Sequence, residues 1–208
     1  MKNGIAIILL AAGKSTRMAG ENKLSRSLDG TELLTYSYNK IKTSNVEQFI
    51  VVSSKENEPQ ASLLSHPYPN IVLQKEQDQG IGDSIALGVS HIKKNISSVI
   101  ICLADMPLIT NDHINLLISS KLSNKFKGLS RFYNAIGQPG HPILFDQQFI
   151  AELKKLTGDV GGSNLIKKNK DLLYKINVSD FSVTTDLDTQ DDWNVFSKSN
   201  YHKVYFDN

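Results

Sequence analysis

The sequence predicts an α/β fold, a three-layer sandwich in one domain around a mostly parallel sheet. Short apolar runs alternate with stretches of helical period along the whole chain. The first run, residues 5–10, is rich in branched side chains with no polar alternation, as in a strand buried on both faces. It breaks abruptly into a glycine loop, at the strand end where open α/β sheets bind ligands.

After that strand, Leu33, Leu34, Tyr36, Tyr38 and Ile41 predict a helix over 32–43, and 49–52 reads as a short strand. Pro59, Pro67 and Pro69 mark a stretch holding a short helix near 60–65 and then a loop. Residues 71–73 form the next strand. From Asp83 the spacing of Ile85, Leu87, Val89 and Ile92 is helical, with Lys93 and Lys94 suited to the C-terminal dipole. Residues 99–103 read as a central strand stopped by Pro107, and Thr110 as the N-cap of a helix bearing Ile114, Leu117 and Ile118. Further on come a strand at 128–132, a turn through 137–140, a strand at 142–145 and a helix over 147–156. Asp159 and three glycines open a short helix, 172–178 is a strand, and Thr189 starts the last helix. The expected whole is one domain over 1–208 with a Rossmann-like sheet; the tail 201–208, with alternating aromatics, suits a peripheral sheet edge or another chain.

At 208 residues such a domain removes roughly 70% of its unfolded surface from water. A net charge of +2, dispersed along the chain, leaves no clustered basic face for nucleic acid. The apolar runs fall short of a membrane span, and no secretory leader is expected from the first residues. Cys102, the single cysteine, excludes an internal disulfide and a cysteine-based metal site, and a reducing cytoplasm is the expected location.

Chemistry concentrates in six segments. In the loop after the first strand, Ala11, Ala12 and Gly13 keep side chains away, so backbone N–H groups can meet an anion, and Lys14, Arg17 and Lys23 supply charge for a polyphosphate. Gly13, Lys14 and Ser15 imitate the end of a P-loop, but Ile8 stands where that motif requires glycine. Asp105 ends the central strand and faces the same crevice, as a Mg²⁺ ligand or a turn former. Asp186 and Asp188 share a face on an extended segment; either completes a metal site with Asp105, or Asp188, Thr189, Asp191 and Asp192 cap the last helix. Gly80, Gly82 and Ser84 open a helix toward a base or ribose, or form an ordinary glycine turn capped by Asp83 or Ser84. Pro139 and Pro142 stiffen a turn presenting His141, a structural or substrate-facing group, and Gly158, Gly161 and Gly162 make a backbone anion nest.

The loop AAGKSTRMAGENKL resembles the signature of nucleotidyltransferases with a GT-A-type fold, and most of all molybdenum cofactor cytidylyltransferases. That resemblance implies a nucleotide site of Leu10, Ala11, Ala12, Gly13, Lys14 and Ser15, with Arg17 and Lys23 on the phosphates. Many relatives carry glycine where this chain has Ala19. Ala12 stands where guanylyltransferases typically have glycine, which favours CTP or UTP over GTP. QGIGDS is similar to the family's QGxxxS, so Gln79, Gly80 and Ser84 are implied at the base. GQPGHP is similar to the molybdenum branch's GxPGHP and places Gly140 and His141 at the acceptor. LTGDVGGSNLI is similar to LxGDxGARxLL, which faces the pterin; Asp159 and Gly161 follow, and Ser163 replaces a frequent arginine. DLDTQDD is similar to DxDTPED, whose acidic start supplies the second metal ligand, with Gln190 in place of proline.

The implied reaction is Mg²⁺-dependent transfer of CMP from CTP to the phosphate of molybdopterin, with pyrophosphate released and a molybdenum hydroxylase as recipient. The rival readings are a nucleotidyltransferase for a sugar or alcohol phosphate, and a non-catalytic molybdenum cofactor carrier.

Overall fold

A computed structural model describes residues 4–15, 17–18, 21–64, 69–75 and 80–199. The chain builds β1 (Ile5–Ala11), β2 (Ser27–Leu28), β3 (Thr31–Glu32), α1 (Leu33–Ile41), β4 (Gln48–Ser53), α2 (Glu58–Ser62), β5 (Asn70–Leu73) and α3 (Ile81–Ser90). It continues with β6 (Ser98–Leu103), α4 (Asn111–Ser120), β7 (Leu129–Tyr133), β8 (Pro139–Asp146), α5 (Gln147–Leu153), α6 (Ser163–Lys168), β9 (Leu173–Asn177) and α7 (Gln190–Lys198). The expected tail strand at 201–208 lies outside the described residues.

Among the described residues, seven strands form one sheet in the order β5-β4-β1-β6-β8-β7-β9. β1 pairs parallel with both β4 and β6, β4 with β5 and β7 with β9, while β8 runs against its two neighbours. The mostly parallel α/β sandwich is therefore present. Every residue of β1 is buried, because helices cover both sheet faces. Ile5, Ile7 and Leu9 pack on one face with Leu34 and Tyr38 of α1, Leu117 of α4 and Trp193 of α7. Ala6, Ile8 and Leu10 pack on the other with Ile85 and Val89 of α3, Phe149 of α5 and Ile166 of α6. The alternation of one strand thus feeds two cores.

From β1 the chain winds outward to β4 and β5, then returns to place β6 on β1's other side. This reversal opens a crevice at the carboxyl ends of β1 and β6, the position where doubly wound sheets hold ligands.

Several details differ from the sequence reading: α2 spans Glu58–Ser62 and not 60–65, and α3 ends at Ser90, before Ile92, Lys93 and Lys94. The hairpin β2–β3 was not anticipated, although Asp29 and Gly30, at φ 51° and 77°, form the Asp-Gly turn that favours such a hairpin. α5 stops at Leu153, short of the expected 156. β8 begins at Pro139, so His141 lies within a strand and not in a turn through 137–140. The real turn comes earlier: Asn134 Oδ1 accepts from the N–H groups of Ile136 and Gln138, and Gly137 N donates to Asn134 O at 2.9 Å.

Gly88 lies on the buried side of α3, where an added Cβ would fall 2.5 Å from Ile8 Cγ2 and 3.0 Å from Val52 Cγ2. In an open helix Gly→Ala stabilises. Here overpacking dominates, and Gly88→Ala is expected to lower stability by about 1–3 kcal/mol, seen as an earlier urea unfolding midpoint; a later midpoint would show that the packing is loose.

Candidate active site at the sheet switch point

The loop leaving β1 is held at both ends by side chains. Ala11 O accepts from Asn57 Nδ2 at 2.7 Å, Asn57 Oδ1 accepts from Asn22 Nδ2 at 2.6 Å, and Asn22 Oδ1 accepts from Leu24 N at 3.0 Å. Ser15 Oγ accepts from Lys23 N at 2.9 Å. Ser15 is thus a staple of the loop. Between these ties, Ala12 and Gly13 line the cleft with little but backbone, and a Cβ at Gly13 would meet nothing within 4 Å. Asn22 and Asn57 were missed from sequence, since nothing in a lone asparagine announces a partner 35 residues away.

Charge gathers in the same cleft. Lys23 is 6% exposed, and its ammonium donates to Asp105 Oδ2 at 2.5 Å and Asp188 Oδ1 at 2.6 Å. Burial alone would lower the Lys23 pKa, but the two carboxylates outweigh it and hold the group above its ordinary value. Arg17, largely in solvent, pairs with Asp188 Oδ2 at 2.6 Å. The carboxylates come from distant segments joined by main chain: Leu187 N donates to Asp105 O at 2.9 Å, and Ala104 N to Leu10 O at 3.0 Å. Asp188 is therefore not the helix cap. Thr189 caps α7, and Asp192 completes the box by accepting from Thr189 N at 2.7 Å.

Asp186 joins the same cleft. Partial burial, then the neighbouring Asp105 and Asp188 carboxylates, raise its pKa above the ordinary value. Among the described residues no three His, Cys, Asp or Glu side chains form a ready cage for a metal. What is present suits a cation that brings its own oxygen ligands: Asp105 Oδ1 is buried without a hydrogen-bond partner, and an ammonium already spans Asp105 and Asp188. Asp105 with Asp186 or Asp188 fits Mg²⁺ completed by phosphate oxygens and water.

The far wall is glycine for a packing reason. A Cβ at Gly80 would lie 1.8 Å from Gly158 C, and Gly82 N donates to Gly158 O at 2.8 Å. Asp83 Oδ2 accepts from both Gly80 N at 3.1 Å and Gly158 N at 3.0 Å, tying the two loops together. Ser84 lines the cleft, yet its hydroxyl donates to Gln74 Oε1 at 2.7 Å. Gln79 lies outside the described residues.

Beside the main cleft, a smaller pocket contains His141, Asp159 and Gly161; Asp159 and Ile81 border both spaces. Gly140 is buried and packs against Val183, where a Cβ would fall 2.0 Å from the carbonyl oxygen, so it shapes the strand and does not face the pocket. His141 Nδ1 is buried without a partner. Burial, then the Arg131 charge, lower the His141 pKa to about 4 despite a hydrogen bond to the Ile101 backbone. It is a neutral imidazole at physiological pH.

The arrangement combines a backbone cradle, three cations (Lys14, Arg17 and Lys23) and four carboxylates (Asp105, Asp159, Asp186 and Asp188) in a cleft of about 370 Å³. It can grip a polyphosphate and a divalent ion together. Comparison with known proteins agrees: residues 7–172 match the MobA-like NTP transferase domain family. The purine catabolism protein PucB of Bacillus subtilis (strain 168) is 28% identical over 92% of this chain and 95% of its own. A probable molybdenum cofactor guanylyltransferase of Thermococcus sibiricus is 25% identical over 71% of this chain and 72% of its own. Among solved structures, Rv0371c of Mycobacterium tuberculosis in complex with manganese superposes with a TM-score of 0.78 over 94% of this chain and 98% of its own, at 20% identity, a likeness of fold.

Two outcomes follow from the charges. Asp186 has a folded pKa above its unfolded 3.8, so the stability linked to it is full below 3.8 and is lost as pH rises through the folded value. Without metal, Asp186→Asn is expected to unfold at higher urea than the wild type at pH 7, the gap closing under acid conditions; equal midpoints at neutral pH would count against the repulsion. His141 runs the other way: the unfolded chain takes its proton near 6.5 and the folded chain only near 4, so stability falls as pH drops across that window. His141→Asn should flatten that part of a urea-midpoint profile, and an unchanged slope would place the imidazole in water.

Proposed function

The chain belongs to the MobA-like NTP transferase family, and we propose that it transfers a cytidylyl group from CTP to the phosphate of molybdopterin, releasing pyrophosphate. One observation carries this reading: Asp105, Asp186 and Asp188 meet Lys23 and Arg17 in the cleft that the side-chain-poor loop lines. Such a meeting place suits a triphosphate and its counterion.

The acceptor phosphate attacks the α-phosphorus in line, a P–O bond forms, and the bond to the β-phosphate oxygen breaks as pyrophosphate leaves. The attacking oxygen is already ionised, so no side chain needs to remove a proton. Lys23 and Arg17 neutralise the phosphates, the Ala12–Gly13 backbone orients them, and Asp105 with Asp186 or Asp188 would hold Mg²⁺. When bound, that ion supplies charge neutralisation at the reacting phosphates. A neutral His141 in the adjoining pocket, with Asp159 and Gly161, receives the acceptor as hydrogen-bonding groups and not as proton-transfer groups.

The acceptor reading draws support from the GQPGHP segment and from the molybdenum cofactor guanylyltransferase among the relatives. That relative's name also favours GTP as a second reading. Ala12 weighs toward CTP.

The test is pyrophosphate release with each of the four nucleoside triphosphates and Mg²⁺, with and without molybdopterin. CTP is expected to support the fastest molybdopterin-dependent release, and preference for GTP would shift the reading to guanylyl transfer. Asp105→Ala is expected to lower metal-dependent turnover by several orders of magnitude, since such clamps supply several kcal/mol; turnover that survives it would remove Asp105 from the metal site.

A further inference from the structure

On the sheet face that carries His141, a second basin opens between β7, the start of β8, β9 and α6. Arg131, Lys167, Lys170 and Lys175 line it above the apolar side chains of Ile166 and Leu173, and no carboxylate is among its described lining residues. Among the described residues none of these four cations is in an ion pair. Two of them are forced together by the fold: Arg131 and Lys175 are register partners on β7 and β9, and like charges directly across a sheet destabilise it. Arg131 is half-buried and oriented by its Nε, which donates to Gly140 O at 2.9 Å. Burial lowers the Arg131 pKa. A partly desolvated guanidinium beside three lysines is an unbalanced arrangement that an anion would relieve.

The basin also has a defined place. Ser163 borders both it and the His141 pocket, and that pocket shares Ile81 and Asp159 with the catalytic cleft. The three spaces therefore adjoin in series, from the strand ends that hold the cleft to the sheet face that carries α6. Arg131 pairs through Ile143 of β8 with Ile101 of β6, so it stands two strand spacings from β6, roughly 10 Å.

We propose that this basin is a second anion site, and that it takes an anionic part of the acceptor that lies away from the phosphate attacking the nucleotide. The identity of its ligand rests on the transfer reaction proposed above; the existence of the anion site does not. The acceptor class is a phosphorylated molecule that carries a second anionic group away from its phosphate, as molybdopterin does in its ene-dithiolate, and is long enough to pass His141.

The first arm of the test needs no turnover. The intact protein is acetylated with an N-hydroxysuccinimide ester, with and without inorganic phosphate, and each lysine is followed by peptide mass spectrometry. Phosphate is expected to slow Lys167, Lys170 and Lys175 by up to about threefold at twice its Kd, with exposed Lys154 and Lys155 unchanged. The Lys167→Gln/Lys170→Gln double variant, altered only at exposed side chains, should abolish protection of Lys175. Uniform slowing, or none, overturns the site even when transfer proceeds normally.

The second arm compares steady-state constants with molybdopterin. The same double variant is expected to raise KM for the acceptor about tenfold with KM for the nucleotide unmoved, the signature of lost acceptor binding. Protection by phosphate with an unchanged acceptor KM assigns the basin to a separate small anion and overturns the acceptor assignment. A protein that transfers no nucleotidyl group at all still gives the first result, so the two readings fail separately.

Discussion

The buried ammonium of Lys23 is the constraint on which the cleft depends. It belongs to the loop after β1 and joins Asp105, just after β6, to Asp188, just before α7. Removing one member of such a set leaves unbalanced charge inside the protein, at a cost of about 3–5 kcal/mol. The main-chain bond from Leu187 to Asp105 sets the same spacing independently, so electrostatics and backbone agree on where the carboxylates stand. The parallel pairing of β1 with β6 brings the two strand ends side by side and makes that agreement possible.

The walls of the cleft are unlike each other in chemistry. One presents backbone from Ala12 and Gly13, fixed from behind by Asn57 and Asn22. Another part of the lining is made of groups whose charges nearly balance in pairs, with Asp186 left over and pushed toward its protonated form. A site with surplus negative charge and a buried unpaired Asp105 oxygen is prepared for a cation. Its rim, where Arg17 stands mostly in water, is prepared for an anion. Nucleotidyl transfer requires both at once.

Much of this was legible in the sequence because it was local. A run without polar alternation gave β1, the abrupt change to small residues gave the loop, and an aspartate after an apolar run gave Asp105. What escaped were pairings between distant polar residues. Asn22 with Asn57, Asp83 with Gly158 and Ser84 with Gln74 each join segments whose proximity only the fold creates. The misplaced turn at 137–140 has a different origin: two prolines and two glycines read as a break, but Pro139 opens β8 next to β7, where the ladder already shifts register. Asp188 was ambiguous for a third reason, because an acidic residue before a helix serves a cap or a charge cluster equally well until its partners are known.

The double acceptance by Asp83 has a mechanical consequence. Its carboxylate binds the entrance of α3 and the segment before α6 as though they were a single hinge leaf, while Gly80 and Gly158 touch too closely for either to slide past the other. A molecule resting against either segment therefore meets a surface whose two halves are tied to each other.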